Sequence, residues 1–216
     1  MNKRVNNDFA IIVLAAGQSA RLGQMKQLIT LKEKSLVVVQ LERALKVTEQ
    51  VYCVLGFNAS EVQDHIDHLP IHTIINRKWS DGMASSIAAG VKALAPEIKA
   101  VMIVLVDQWQ VSSADLQRHQ SYWRNNPAAI VVAQAVKTTA SSASEKIGPP
   151  VIFPRCYFSQ LTQLSGNQGA KPLLTKYQTE LLKVSLVHGF IDIDTPEQLN
   201  TMNKILDVKI KNNTAK

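Results

Sequence analysis

The chain has 216 residues, enough for one α/β domain with a substantial core and too few to require two. Its longest apolar runs, such as Val101 to Val106, stop far short of the ~20 residues that a membrane helix needs. The formal net charge is +7, with basic residues scattered apart from a mild concentration at Lys204, Lys209, Lys211 and Lys216; without an RNP-like aromatic motif, a helix-turn-helix signature or a basic run, this points to a solvated basic surface and a small polyanionic substrate, with no nucleic acid and no membrane as partner.

The start, MNKRVNND, is short and polar, so no signal peptide is expected. Phe9 to Ala15 predicts a buried strand that opens into a loop carrying Gly17, Ser19, Arg21, Gly23 and Lys26. Glycines let backbone N–H groups approach a ligand and the two cations offset its charge, which makes the loop a place to hold phosphate. It is neither a Walker A motif nor GxGxxG. Ser35 is placed to cap a helix over about Leu36 to Val47, and a second strand follows at Val51 to Leu55. Asn58 is placed to cap a helix to about His68, and His72 to Ile75 predicts a third strand. The loop Asn76 to Gly82 leads to a helix of small residues, Met83 to Leu94.

Ala100 to Val106 predicts a fourth strand ending on Asp107. A helix capped by Ser112 or Ser113 runs to about Arg124, and a strand spans Ala129 to Ala135. The polar stretch Lys137 to Gly148 reads as a surface loop, with a lid over the site left open, and the strand pattern resumes at Pro150 to Phe153. Helices are expected at Cys156 to Leu164 and Ala170 to Tyr177, then strands at Leu182 to Leu186 and Phe190 to Ile193. A last helix opens with Pro196 and Glu197, and a tail is expected from about 210.

Only Cys53 and Cys156 occur, with no CxxC and no Cys/His cluster, so neither a zinc site nor a disulfide framework is supported and a cytoplasmic location fits. The five histidines show no metal-ligand spacing. Apolar strands alternating with helical patterns predict a single doubly wound, three-layer α/β/α domain. In such a domain ligands gather at the carboxyl ends of the strands. The functional residues are therefore expected just after Ala15, Ile75, Val106 and Ile193, where Gly17 to Lys26, Asn76 to Ser86, Asp107 and Asp194 stand.

These residues resemble a known family. Leu14-Ala15-Ala16-Gly17, Ser19, Arg21, Gly23, Lys26 and Leu28 are similar to the LAAGxSxRxGxxKxL signature of nucleotidyltransferases related to molybdenum cofactor cytidylyltransferase. Asn76, Trp79, Gly82, Met83, Ser85, Ser86 and Gly90 resemble that family's NxxWxxGMxxSLxxG stretch, Gly148, Pro150 and Phe153 its GxPxxF, and Asp192 to Leu199 its DIDTPEDL. Asp107-Gln108-Trp109 stands where DQP is usual, and Gly166 to Lys171 stands for GDxGAR with Asn167 and Lys171 in place of Asp and Arg.

The resemblance implies a Rossmann-like nucleotidyltransferase fold with a mostly parallel central sheet, covering nearly the whole chain. It implies that Leu14, Ala15, Ala16, Gly17, Ser19, Arg21 and Lys26 wrap the triphosphate, that Asn76, Gly82, Ser85 and Ser86 lie by base and ribose, and that Asp107 and Asp194 hold Mg²⁺, with Asp192 in reserve. Arg21, Lys26 and Asp107 would be catalytic, and Gly148, Asn167 and Lys171 would lie on the acceptor side. CTP is favoured over GTP, since cytidylyl-type relatives carry LAAG where guanylyl-type ones carry LAGG; one methyl gives discrimination on the order of 1–3 kcal/mol. The implied acceptor is the pterin phosphate of the molybdenum cofactor (molybdopterin), with transient contact to a molybdoenzyme or its chaperone. A sugar or polyol phosphate acceptor, prompted by Asn167, Lys171 and Trp109, and a cofactor-binding or insertion protein without catalysis stay open.

Overall fold

The computed structural model describes residues 7–31, 33–135, 146–187 and 189–214, with side chains as far as 206. The strands and helices, in chain order, are β1 (Phe9–Ala15), β2 (Thr30–Leu31), β3 (Lys34–Ser35), α1 (Leu36–Leu45), β4 (Val51–Leu55), α2 (Ala59–Ile66), β5 (His72–Ile75), α3 (Met83–Lys92), β6 (Ala100–Leu105), α4 (Ser113–Asn125), β7 (Val131–Ala135), β8 (Ile147–Pro154), α5 (Phe158–Thr162), α6 (Lys171–Lys176), β9 (Leu182–Leu186) and α7 (Pro196–Thr214). Short 3₁₀ turns occupy Lys26–Leu28, Trp79–Asp81 and Arg155–Tyr157. Among the described residues no helix is long and apolar enough to cross a membrane.

Seven strands form one sheet in the order β5-β4-β1-β6-β8-β7-β9. β1 pairs in parallel with β4 and β6, β4 with β5, and β7 with β9, while β8 runs antiparallel to both β6 and β7. The sheet is therefore mostly parallel, and the direction of winding reverses between β1 and β6. A cleft opens where the connections leave in opposite directions, beside the loops after Ala15 and Leu105. Because β8 is reversed, it is its beginning, at Ile147 and Gly148, that reaches this edge. β9 is parallel to β7, so the chain leaving Leu186 starts from the same edge.

β1 is buried along its whole length because both faces of the sheet are covered. Phe9, Ile11, Val13 and Ala15 enter a core shared with Leu36 and Leu41 of α1, Val62 of α2, Leu116 and Trp123 of α4 and Met202 of α7. Ala10, Ile12 and Leu14 face the other way, onto Ile87 and Val91 of α3, Leu161 of α5 and Leu173 of α6. Gly90 of α3 lies so close to Ile12 that a Cβ there would approach its Cδ1 to 2.9 Å. The helix can rest that near the sheet only without a side chain.

Several sequence expectations are corrected. Phe190 to Ile193 is not a strand. Instead of extending the sheet, this segment turns back over its edge toward Asp107, with Ile193 buried in the core. Asn58 precedes α2 but makes no capping bond, because its backbone is left-handed (φ 45°) where a cap needs an extended one. Ser35 has the extended backbone and also makes no cap bond. Ser112, in contrast, forms a full capping box with Asp115. The β2–β3 hairpin has too few residues to show alternation and was not anticipated. α7 runs on to Thr214, into the stretch expected as a tail. Most of the loop expected over 137–148, with its possible role as a lid, lies outside the described residues.

Candidate active site

The loop after β1 is held from below by a side chain. Gln27 is fully buried, and its Nε2 donates to the carbonyls of Ala15 and Gly17, each at 2.7 Å. Those two carbonyls are thereby tied to protein donors, away from any anion the loop has to face. Ser19 closes the loop across its base, accepting at Oγ from the Lys26 backbone N–H (3.3 Å). The Ala16 carbonyl accepts from the Phe57 N–H (3.0 Å), which ties the loop to the chain leaving β4.

The loops leaving β1, β6 and β9 meet at one ammonium. Lys26 Nζ donates to Asp107 Oδ2 at 2.6 Å and to Asp194 Oδ1 at 2.8 Å, and Arg21, largely exposed, reaches Asp194 Oδ2 at 3.4 Å. Burial works against charge on Lys26, but the carboxylates of Asp107 and then Asp194 outweigh it and hold its pKa above the ordinary lysine value. Asp194 is drawn below the usual carboxylate range: its partial burial is outweighed by Lys26, with Arg21 adding to the effect. Asp192, two residues away, is pushed up to about 6, mainly by burial and then by the charge of Asp107.

Asp107 Oδ1 is buried and has no hydrogen-bond partner among the described residues. A carboxylate oxygen left over in this way, beside a second carboxylate, suits a small hard cation that takes one or two protein carboxylates and completes its shell with phosphate and water. The pair fits such a cation. Among the described residues there is no group of three or more His, Cys, Asp or Glu arranged to hold a metal unaided.

Two cavities open side by side along the cleft. The first, about 300 Å³, lies between Leu14, Ala16 and Gly17 on one wall and Trp79, Gly82, Met83 and Ser86 on the other, with Lys26, Asp107 and Asn167 also lining it. The second, about 530 Å³, is mostly apolar, with Ile87, Ile103, Val151, Phe153 and Leu174 in its walls and Lys146, Gly148 and Lys171 among its lining residues. Met83 and Leu105 line both. The fold thus provides two adjoining chambers with the lysine and carboxylates beside the first.

Of the residues singled out from sequence, Leu14, Ala16, Gly17, Lys26, Gly82, Ser86 and Asp107 wall the first chamber, and Gly148 and Lys171 wall the second. Ala15 lies buried behind the wall. Asn76 is buried as well and shapes the wall from behind. Its Nδ2 donates to Ser85 Oγ (2.8 Å) and Ser86 Oγ (3.0 Å), and its Oδ1 accepts from the Lys78 N–H (3.0 Å). Ser85 is engaged with the carbonyls of Lys78 and Gly82 and does not line the chamber. Asn167, expected on the acceptor side, lines the first chamber, where its loop packs directly on Gly82.

Asp194 precedes a helix, so it could have served as the cap. Thr195 and Gln198 do that work. Gln198 Oε1 accepts from the N–H groups of Asp194 (2.8 Å) and Thr195 (3.0 Å), while Thr195 Oγ1 accepts from the Gln198 N–H (3.4 Å). The T-x-x-Q spacing carries that signal in the sequence, and the Asp194 carboxylate is left for the cleft. Two residues were missed, Gln27 and Gln108. Both are glutamines in apolar surroundings beside a functional residue, and that placement was the available signal.

The sequence model of the MobA-like NTP transferase domain matches residues 11–181. The chain belongs to this family. It is accordingly a nucleotidyltransferase enzyme on a Rossmann-like, mostly parallel sheet. It is 30% identical over 192 residues to nicotine blue oxidoreductase of Paenarthrobacter nicotinovorans, covering 87% of this chain and 93% of that one. It is 20% identical over 193 residues to molybdenum cofactor cytidylyltransferase of Escherichia coli K12, covering 88% and 93%. Among solved structures, that of Rv0371c from Mycobacterium tuberculosis H37Rv in complex with manganese superposes with a TM-score of 0.71 at 22% identity, covering 90% of this chain and 97% of that one.

Proposed function

We propose that this nucleotidyltransferase is Mg²⁺-dependent and moves CMP from CTP onto the terminal phosphate of a molybdopterin-type acceptor. An oxygen of the acceptor phosphate attacks the α-phosphorus, the bond from that phosphorus to the β-phosphate oxygen breaks, and pyrophosphate leaves. The observation that carries the reading is the Lys26 ammonium shared between Asp107 and Asp194, beside a chamber floored by the loop after β1. Supporting it are the likeness to the Escherichia coli cytidylyltransferase and the place of Ala16 in the chamber wall, where its methyl would narrow the space for a purine.

In this reading the Gly17 loop cradles the triphosphate, and Lys26 and Arg21 stabilise the charge that builds on the departing pyrophosphate. The acceptor occupies the apolar second chamber, with Lys146 and Lys171 facing its charged groups. Asp107 and Asp194 would hold Mg²⁺, which would neutralise phosphate charge at the reacting centre. The relative solved with manganese is consistent with a divalent ion at such a site.

A fold of this kind hosts more than one chemistry, and one relative is named for a redox reaction. Nucleotide turnover is therefore the decisive measurement. The four nucleoside triphosphates are to be tested with Mg²⁺ against molybdopterin and a panel of sugar phosphates, reading pyrophosphate release. CTP with molybdopterin is expected to give the highest kcat/KM. Turnover confined to sugar phosphates would reassign the acceptor, and none with any pair would sink the proposal. Asp107→Ala is expected to keep the fold and lose turnover by about 10²–10³-fold or more, the scale on which charge-stabilising groups act. Substantial Mg²⁺-dependent activity in that variant would remove Asp107 from the metal.

A further inference from the structure

Gln108 follows Asp107 and is only 2% exposed. It lines neither chamber, and its side chain reaches into the junction of three segments. Nε2 donates to the carbonyl of Pro149 at the start of β8 (2.7 Å) and to that of Gly189 in the connection from β9 to α7 (2.6 Å). The Gln108 backbone carbonyl in turn accepts from the buried Gln40 Nε2 of α1 (2.7 Å). One amide therefore spans from the end of β6 to the two segments that complete the cleft.

Apart from the burial of Ile193 and the packing of Phe190, the connection from β9 to α7 has few described ties. From Ile191 to Asp194 it has no strand pairing. Its described polar ties are the Gly189 carbonyl on Gln108, the Gln198 side chain on the amides of Asp194 and Thr195, and Lys26 and Arg21 on the Asp194 carboxylate. The last two ties are the ones a triphosphate would compete for. Once these cations turn to phosphate, Gln108 is the described polar tie that still connects the Asp194 segment to the wall bearing Asp107, beside the buried Ile193.

We infer that Gln108 is a positioning residue: by holding the Gly189 carbonyl it sets Asp194 at the separation from Asp107 at which both carboxylates reach one cation. This inference rests on the function proposed above. A buried amide that satisfies two carbonyls can also be purely structural, and the test separates the two roles.

The variant Gln108→Met keeps length and removes both donors; Gln108→Asn keeps the amide but shortens it, and serves if Met does not fold. Arg43→Met is the control, since Arg43 Nη1 bonds the Trp109 and Val111 carbonyls of the same loop but neither β8 nor Gly189. Four quantities are read: amide hydrogen exchange over 190–194 in the free protein, Mn²⁺ binding by electron paramagnetic resonance with CTP present, turnover against metal concentration, and stability to urea. The Gln108 variants are expected to exchange faster over 190–194, to bind Mn²⁺ about 10-fold more weakly, within the range for residues that orient metal ligands, and to regain turnover with excess metal. Arg43→Met is expected to lose stability without either change. Gln108 variants that lose stability yet exchange and bind Mn²⁺ as the wild type does would overturn the inference. Wild-type protein that binds no Mn²⁺ with CTP would instead overturn the proposed function, and the exchange measurement, which needs no ligand, tells the two failures apart.

Discussion

Lys26 has two sets of partners and one charge. Its ammonium now lies 2.6 Å and 2.8 Å from two carboxylates that also suit a divalent cation. Cation and ammonium compete for the same oxygens, and a triphosphate that draws Lys26 away would favour the cation, so nucleotide and metal are coupled through one side chain. Lys26→Met is expected to cut turnover and, in the absence of nucleotide, to raise affinity for Mn²⁺ by about 10-fold, within the usual size of such couplings. Unchanged or weaker Mn²⁺ binding by the free variant would contradict the competition. A second residue-scale effect lies far from the cleft. His119 is buried in α4, its Nδ1 donates to the Asp115 carbonyl at 2.8 Å, and its Nε2 has no partner among the described residues. Burial holds its pKa below the ordinary 6.5, against the opposing pull of the Asp115 carbonyl. Below that ordinary value the unfolded chain therefore binds a proton that the folded chain refuses, and stability falls as pH drops. Replacing it by His119→Leu is expected to flatten this acid limb in urea unfolding below about pH 6.5; an unchanged slope would assign the limb to other groups.

At the level of loops and helices, two glycines that look alike in sequence do different work. Gly82 sits at φ 103° at the start of α3, and a Cβ there would meet Asn167 Oδ1 and the Gly166 carbonyl. Both backbone strain and collision oppose a side chain. Gly17 has no atom within 4 Å of such a Cβ and lines the open first chamber. Gly82→Ala is thus expected to lose about 1–3 kcal/mol of stability, the usual cost of a strained backbone position, whereas Gly17→Ala is expected to unfold like the wild type and lose CTP affinity. Urea denaturation paired with CTP binding distinguishes them, and equal stability losses would show that the contrast is mistaken. The same contrast shows what could be read from sequence. β1, β4 and β6 were legible because parallel strands covered on both faces read as unbroken apolar runs. Phe190 to Ile193 has a similar pattern, but its apolar residues are used to cross the edge of the sheet, and local pattern does not distinguish burial under a crossing from burial in a ladder. That Asn167 lines the first chamber could not be read from sequence for a related reason: its placement depends on packing against Gly82, more than eighty residues away.

Over the whole molecule, the excess of positive charge does not coincide with the site. The chain carries +7 overall, yet around the reacting centre Asp107, Asp192 and Asp194 stand against Lys26, Arg21 and Lys146. These charges cancel, and two of the cations are already engaged with carboxylates. A free triphosphate would have to displace Lys26 and Arg21 from Asp194 while leaving Asp107 and Asp194 uncompensated beside its own oxygens. A divalent cation removes that obstacle by taking the carboxylates and the phosphates together. The general basicity of the surface helps the substrate arrive, an effect screened beyond ~8 Å at physiological ionic strength, but it does not substitute for the ion at contact. CTP is therefore expected to bind at least ~10-fold more weakly in EDTA than with Mg²⁺, the lower end of the change seen when metal-site interactions are disrupted. Raising the salt concentration should reduce kcat/KM more than kcat. Calorimetry of CTP binding with and without Mg²⁺ reads the first effect directly: equal affinities would mean that Lys26 and Arg21 release their carboxylates unaided, and that the paired aspartates serve the loop rather than a metal.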